Sequence, residues 1–326
     1  VVCQKKEKGK TIEVMKRPTA KTRKTKKPTA LLKEDGSSLK TPIGYYGGKQ
    51  KMAKHILPLI PQHNLYCEPF FGGGAIFWAK PSSNVEVIND IKDNVIVFYR
   101  VLKTDYARLK KKIDSTLHSR SLYRRAMKVY DCPKKYSDLE RAWALWTLAT
   151  QGFAHRLKSW GHAKDGKVER QVSNARQRFT EVYADRLEKT QIENNDALRV
   201  IKLRDKTDTF FYLDPPYYNS NCADYSGYTE QDFKNLLDAC ANMEGMFLLS
   251  SYPSKLLTEY TKKYGWNSHS VQMRVSVTKN SQKQKTEVLT WNYNIKKGKQ
   301  DDGVSGGLGA HPVFMLARVL EMVFSI

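Results

Sequence analysis

The sequence predicts an α/β fold: an open, mostly parallel sheet flanked by helices, with a mainly helical segment inserted into it. Three stretches carry that prediction. Residues 65–80, LYCEPFFGGGAIFWAK, read as strand, glycine turn and helix. Residues 85–90, VEVIND, read as a second strand ending in an acid. Residues 210–220, FFYLDPPYYNS, start as a buried aromatic strand and stop at Pro215-Pro216, which have no N–H to give to a sheet ladder.

The chain as a whole narrows the possibilities. Its 326 residues can bury one full core and a smaller second domain. A formal charge of +23 points to a polyanionic partner, most simply nucleic acid. The five cysteines are scattered, without a CxxC pair, which argues against a disulfide framework or a zinc site and suits a reducing compartment. No signal-peptide pattern or apolar run of membrane-spanning length occurs, so no membrane partner is expected. The chain starts at Val1, as a fragment or a processed product would.

Taken in order, residues 1–40 form a basic tail with almost nothing apolar to bury, expected to be disordered. It could track phosphates or be a plain solvated tail. Order begins at residues 41–61, where Gly47-Gly48 permits a turn and Lys49 precedes a short helix near residues 50–60. In the next unit Glu68 ends the first strand, and Gly72-Gly73-Gly74 lets the backbone come close to a ligand. Asp90, at the tip of the second strand, reads either as a ribose-binding acid or as the cap of a helix over residues 91–102.

Residues 105–189 interrupt the α/β pattern. Residues 138–153 carry Leu139, Trp143, Trp146, Ala149 and Phe153 at helical spacing, the mark of a helical core. Residues 152–179 are polar and basic with little periodicity. Arg156, Lys158, Lys164, Arg176 and Arg178 form a candidate phosphate- and base-contacting surface there, and Trp160 a candidate apolar wedge. His155 and His162 lack a third ligand nearby, so no metal site is expected.

The α/β pattern resumes with a short strand over residues 192–196, whose Asp196 is either a ligand acceptor or a helix cap. After the aromatic strand come a helix over residues 229–241 with a capping-box start, a strand over 246–251, and a hairpin of 271–277 with 287–293. Residues 296–326 form a C-terminal extension to which no role is assigned.

The stretch Asp214-Pro215-Pro216-Tyr217 suits methyl transfer to an exocyclic amino group of a base. Such an amine is a poor nucleophile because its lone pair is delocalised into the ring. The Asp214 carboxylate and the Pro215 carbonyl could accept its two N–H groups and localise the pair. Tyr217 offers a ring on which an extruded base can stack, a task for the ring and not for the hydroxyl. A capped strand ending in a Pro-Pro turn is the plainer alternative.

GYYGGK, EPFFGGGA, the Asp90 strand tip and DPPY, in that order, resemble the Dam-like (D12 class) DNA adenine-N6 methyltransferases over roughly residues 41–295. The resemblance implies a Rossmann-like sheet that binds S-adenosylmethionine, built from residues 41–104 and 190–295, with residues 105–189 as a target-recognition domain. By position it assigns cofactor contacts to Tyr45, Lys49, Glu68, Phe70, Gly72, Gly74, Asp90 and Asp196, with Lys49 meeting the cofactor's carboxylate. Many family members have Trp where Tyr45 stands. The implied partner is double-stranded DNA, with a cognate restriction nuclease as a candidate companion. The implied location is the cytoplasm of a bacterial or phage-infected cell, and the expected state a monomer or weak dimer. N4-cytosine methylation and a catalytically inactive DNA-binding relative are the alternatives; Asp214 favours adenine over cytosine.

Overall fold

The computed structural model describes residues 39–45, 47–153, 156–162, 166–219, 227–274 and 284–295. The elements, in chain order, are α1 (Ala53–Ile56), β1 (Leu65–Glu68), α2 (Ala75–Ala79), β2 (Val85–Asn89), α3 (Asp93–Thr104), α4 (Tyr106–Asp114), α5 (Arg120–Asp131), α6 (Asp138–Gln151), α7 (Lys167–Arg178), α8 (Val182–Leu187), β3 (Thr190–Glu193), α9 (Ala197–Arg204), β4 (Thr209–Leu213), α10 (Glu230–Ala241), β5 (Met246–Ser251), α11 (Lys255–Tyr264), β6 (Asn267–Arg274) and β7 (Gln284–Trp291).

The strands form one sheet in the order β3-β2-β1-β4-β5-β7-β6. The first five are parallel, and β7 runs antiparallel to both β5 and β6. This is a Rossmann-like doubly wound sheet whose far edge is closed by a hairpin. The strand order reverses between β1 and β4, so the loops after their carboxyl ends part and leave a crevice there. The expected α/β class therefore holds.

The central strands are apolar on both faces because helices cover both. Residues of β4 are buried throughout, as a parallel central strand requires. One face packs Tyr66, Ile88, Phe210 and Tyr212 against α2, α3 and α6. The other packs Cys67, Val87, Phe211 and Leu213 against α9 and α10. Residues 105–189 share the first of these cores with the sheet: Trp146 and Leu148 of α6 join Phe98 of α3 and Trp78 of α2 in one cluster. At a fully buried residue such as Leu148, truncation costs about 2–5 kcal/mol. The start of α6 is set by a capping box, Ser137 with Glu140.

Several boundaries differ from expectation. The helix after Lys49 is a single α-turn followed by a 3-10 turn over Leu57–Leu59, because Pro58 cannot continue it. α3 starts later than residue 91. Ile91 is exposed and Asp90 is tied to the backbone of Lys92. Phe153 lies past the end of α6 and is 61% exposed, so it leaves the apolar stripe. The stretch over residues 152–179 contains α7, a full helix. β3 ends before Asp196, and the hairpin strands begin earlier than the apolar runs suggest. The capping box of α10, Thr229 with Asp232, is as expected. Among the described residues no helix is long and apolar enough to cross a membrane.

Candidate active site

A cleft of about 410 Å³ opens at the carboxyl ends of β1, β2 and β4. It is lined by Tyr45, Lys49, Glu68, Phe70, Gly72, Gly74, Asp90 and Asp196, together with Asp214, Pro215 and Pro216. Every residue expected to hold the cofactor therefore meets the DPPY strand end in one place, although the two groups lie far apart in sequence.

The glycine loop is a backbone device. Gly72 and Gly74 have φ of 47° and 64°, the left-handed region that glycine tolerates. A Cβ on Gly74 would stand 2.3 Å from the Phe71 ring, so a side chain there would displace the loop. Asp90 ties this loop down: Gly72 N–H donates to Oδ2 and Lys92 N–H to Oδ1, both at 2.8 Å. Asp90 thus braces two loops and does not cap α3, whose N-cap residue is Lys92. Burial raises its carboxyl above the ordinary range. Asp196 does cap its helix, accepting from Arg199 N–H at 3.1 Å, while still lining the cleft. Asn89 holds the floor, donating to the carbonyls of Pro69 and Asn195 and accepting the Asn195 N–H.

At the other end of the cleft stands a buried ionic cluster that the sequence did not reveal. The Lys49 ammonium lies 2.8 Å from Asp214 Oδ1 and 3.3 Å from Glu287 Oε1. The Tyr217 hydroxyl donates to Glu287, and its oxygen also lies 3.3 Å from Asp214 Oδ1. Ser250 Oγ donates to Glu287 at 2.9 Å. Burial works against the charge on Lys49, but the two carboxylates outweigh it and raise its pKa. Burial pushes Asp214 up to about 6; Lys49 opposes the rise and Glu287 adds to it. On the cleft wall, burial pushes Glu68 up to about 8, although the Tyr66 hydroxyl donates to it at 2.8 Å.

Two expectations change here. Lys49 was assigned to a cofactor carboxylate, yet it is engaged with Asp214 and Glu287, because two buried acids make the strongest local demand for a cation. Tyr217 is not an open stacking platform. It is 5% exposed, its ring centroid is 4.3 Å from that of Tyr252, and its hydroxyl is in use. Glu287, Ser250 and Tyr252 were missed. The one available signal was Tyr252, an aromatic just past a strand's carboxyl end.

The basic segment is only partly as expected. Arg156, Lys158 and Arg178 are exposed. Arg176 instead donates to the carbonyls of Asp114 and Thr116, tying α7 to the end of α4. Trp160 is no wedge: its ring stacks on His118 and His162, at 5.0 and 5.4 Å between centroids, and the Arg120 guanidinium lies 4.5 Å from it. Lys164 and His155 lie outside the described residues. Among the described residues no group of three His, Cys, Asp or Glu could hold a metal ion.

Residues 45–277 match the family model described as D12 class N6 adenine-specific DNA methyltransferase. The chain is 27% identical over 289 residues to a Type II methyltransferase of Lactococcus lactis subsp. cremoris, covering 81% of this chain and 99% of the relative. Among solved structures, a similarity to an rRNA methylase from Streptococcus thermophilus covers 74% of this chain and 93% of that one, at 7% identity and a TM-score of 0.30.

Proposed function

The chain belongs to the D12 class N6 adenine-specific DNA methyltransferases, and from that premise we propose that it moves the methyl group of S-adenosylmethionine to N6 of an adenine turned out of double-stranded DNA. One observation carries this reading: Asp214, at the open end of β4, lines the same cleft as the glycine loop and Asp90. The cleft also fits the cofactor in charge. In a chain of net charge +23, its wall carries the carboxylates Asp90, Asp196, Asp214 and Asp232 against the cations Lys49 and Lys92, a balance that favours a cationic ligand.

Asp90 would hold the ribose hydroxyls, the glycine loop would let backbone meet the amino-acid part, and Asp196 would accept from the cofactor's adenine amine. When bound, the cofactor would supply a sulfonium methyl and leave as a neutral thioether, and the proton lost from N6 would pass to solvent. The protein's part is orientation and charge placement. Among the described residues every bond to Asp214 falls on Oδ1, so Oδ2 is the oxygen left to accept one N6 hydrogen. The Pro215 carbonyl would accept the other. Arg156, Lys158 and Arg178 would contact phosphates.

The test is to incubate the protein with methyl-labelled cofactor and duplex DNA and to map the modified base. N6-methyladenine in a defined sequence context is expected. Label on cytosine N4, on RNA alone, or on nothing would overturn the proposal.

A further inference from the structure

We propose that Glu287 is a positioning residue for this methyl transfer: from β7 it holds the Lys49 ammonium and the Tyr217 hydroxyl beside Asp214. The inference rests on the adenine-methylation reading and adds to it a residue outside the span 45–277 that matches the family. Glu287 is 8% exposed and, among the described residues, receives donors from three separate parts of the chain: Lys49, Tyr217 and Ser250. It reaches the cleft because β7 runs antiparallel to β5. The early residues of β7 therefore lie at the carboxyl end of the parallel strands, where Asp214 is.

The arrangement orients the acceptor. A carboxylate held at neither oxygen can rotate and present either one anywhere. Lys49 fastens Oδ1 of Asp214 at 2.8 Å, and Lys49 can do so only where its own ammonium is held. Glu287 holds it at 3.3 Å, and the Gly47 carbonyl accepts from it at 3.1 Å. With Oδ1 fixed, Oδ2 has a defined direction in which to meet an N6 hydrogen. The same contact fixes Tyr217 through its hydroxyl, so ring and carboxylate are set by one buried acid. Among the described residues the titratable groups facing Asp214 are Lys49, Glu287, Tyr217, Tyr212 and, across the cleft wall, Glu68.

Glu287→Gln tests this, measured as kcat, KM for DNA, cofactor affinity by calorimetry, and the pH profile of kcat. A displaced reacting group costs up to about 100-fold in rate, so kcat should fall roughly 10- to 100-fold while KM and cofactor affinity stay near wild type. The acid limb of the profile should move to lower pH, because a like charge beside Asp214 has gone while Lys49 remains. Glu287→Asp keeps the charge but withdraws the carboxylate; it should lower kcat and leave the acid limb in place. In a double variant with Tyr217→Phe, the loss should be little more than that of the worse single variant.

A Gln variant with unchanged kcat and acid limb would overturn the proposal, as would fully additive losses in the double variant. A role in packing alone would lower cofactor affinity and kcat together without moving the acid limb, and that result also overturns it. Should Glu287→Gln not fold, the Asp variant decides, and wild-type kcat there is fatal. Wild-type protein that transfers no methyl to adenine would sink the functional reading and this inference with it. An active wild type with insensitive variants sinks the inference alone.

Discussion

Two buried ionic clusters sit at opposite ends of the same sheet, and their charge balance is opposite. At the amino end of β2, Glu86 is shared by two cations. Lys80 lies 2.6 Å from Oε1, Arg186 is bound to both oxygens, and the guanidinium also lies 3.7 Å from the Phe77 ring. At the carboxyl end of β4, Lys49 is shared by two acids, Asp214 and Glu287. The first cluster is closed: burial disfavours the Glu86 charge, but Arg186 and Lys80 outweigh it and pull its pKa down. The second is open, with Asp214 left above the ordinary carboxylate range at about 6. Excess positive charge around a satisfied acid ties α8 to β2 and builds structure. An acid on a cleft wall that shares its one cation with a second acid is a feature of a site that receives something.

The largest effect should come from breaking the closed cluster. Glu86→Ala leaves two buried cations without their acid, which typically costs about 3–5 kcal/mol of stability. Denaturant unfolding should show it, while the rate per folded molecule stays near wild type. A variant of wild-type stability would mean that solvent reaches Lys80 and Arg186 after all.

Asp214→Ala should do the reverse. Losing one preorganised group costs about 100- to 1000-fold in rate, with the fold intact, because the residue stands past the end of β4. A folded protein methylating adenine near the wild-type rate would remove Asp214 from the chemistry.

A smaller effect is expected for Asp90→Ala, about 1–3 kcal/mol in cofactor affinity through lost hydrogen bonds. Calorimetry showing equal affinity would leave Asp90 only as the tie between Gly72 and Lys92.

The mildest perturbation is pH, and the clusters should answer with opposite signs. Asp214 binds its proton more tightly folded than unfolded, so its contribution to stability improves as pH falls through about 6 towards 3.8. Over the same range the methylation rate should drop, since the acceptor is being protonated. Burial and Arg186 lower Lys80 to about 8 even though Glu86 raises it, so stability should improve as pH rises from there towards 10.5. Each slope should vanish in the matching variant, Asp214→Ala or Lys80→Met; a slope that persists belongs to other groups.

The sequence was most legible where the chain acts locally. Gly72-Gly73-Gly74 marked a close-approach loop, Pro215-Pro216 had to end β4, and Thr229 with Asp232 had to cap α10. Neighbours along the chain decide each of these. Helix α7 was less legible, although Val168, Val172, Ala175 and Phe179 keep helical spacing among the arginines and pack on the core. Its many charges hid the apolar stripe.

By itself, then, the sequence determined the α/β class, the glycine loop, the DPPY strand end and the family to which they point. The tertiary structure alone decided how those pieces are charged and held. Whether Lys49 faces a ligand or Asp214, and whether the Tyr217 hydroxyl is used, depends on Glu287 arriving from an antiparallel strand far along the chain. Trp160 became a stacked ring instead of a wedge because His118, a residue of another segment, lies beside it. Such contacts come from strand register and helix packing, which bring together residues with no sequence relation, and no local pattern records them.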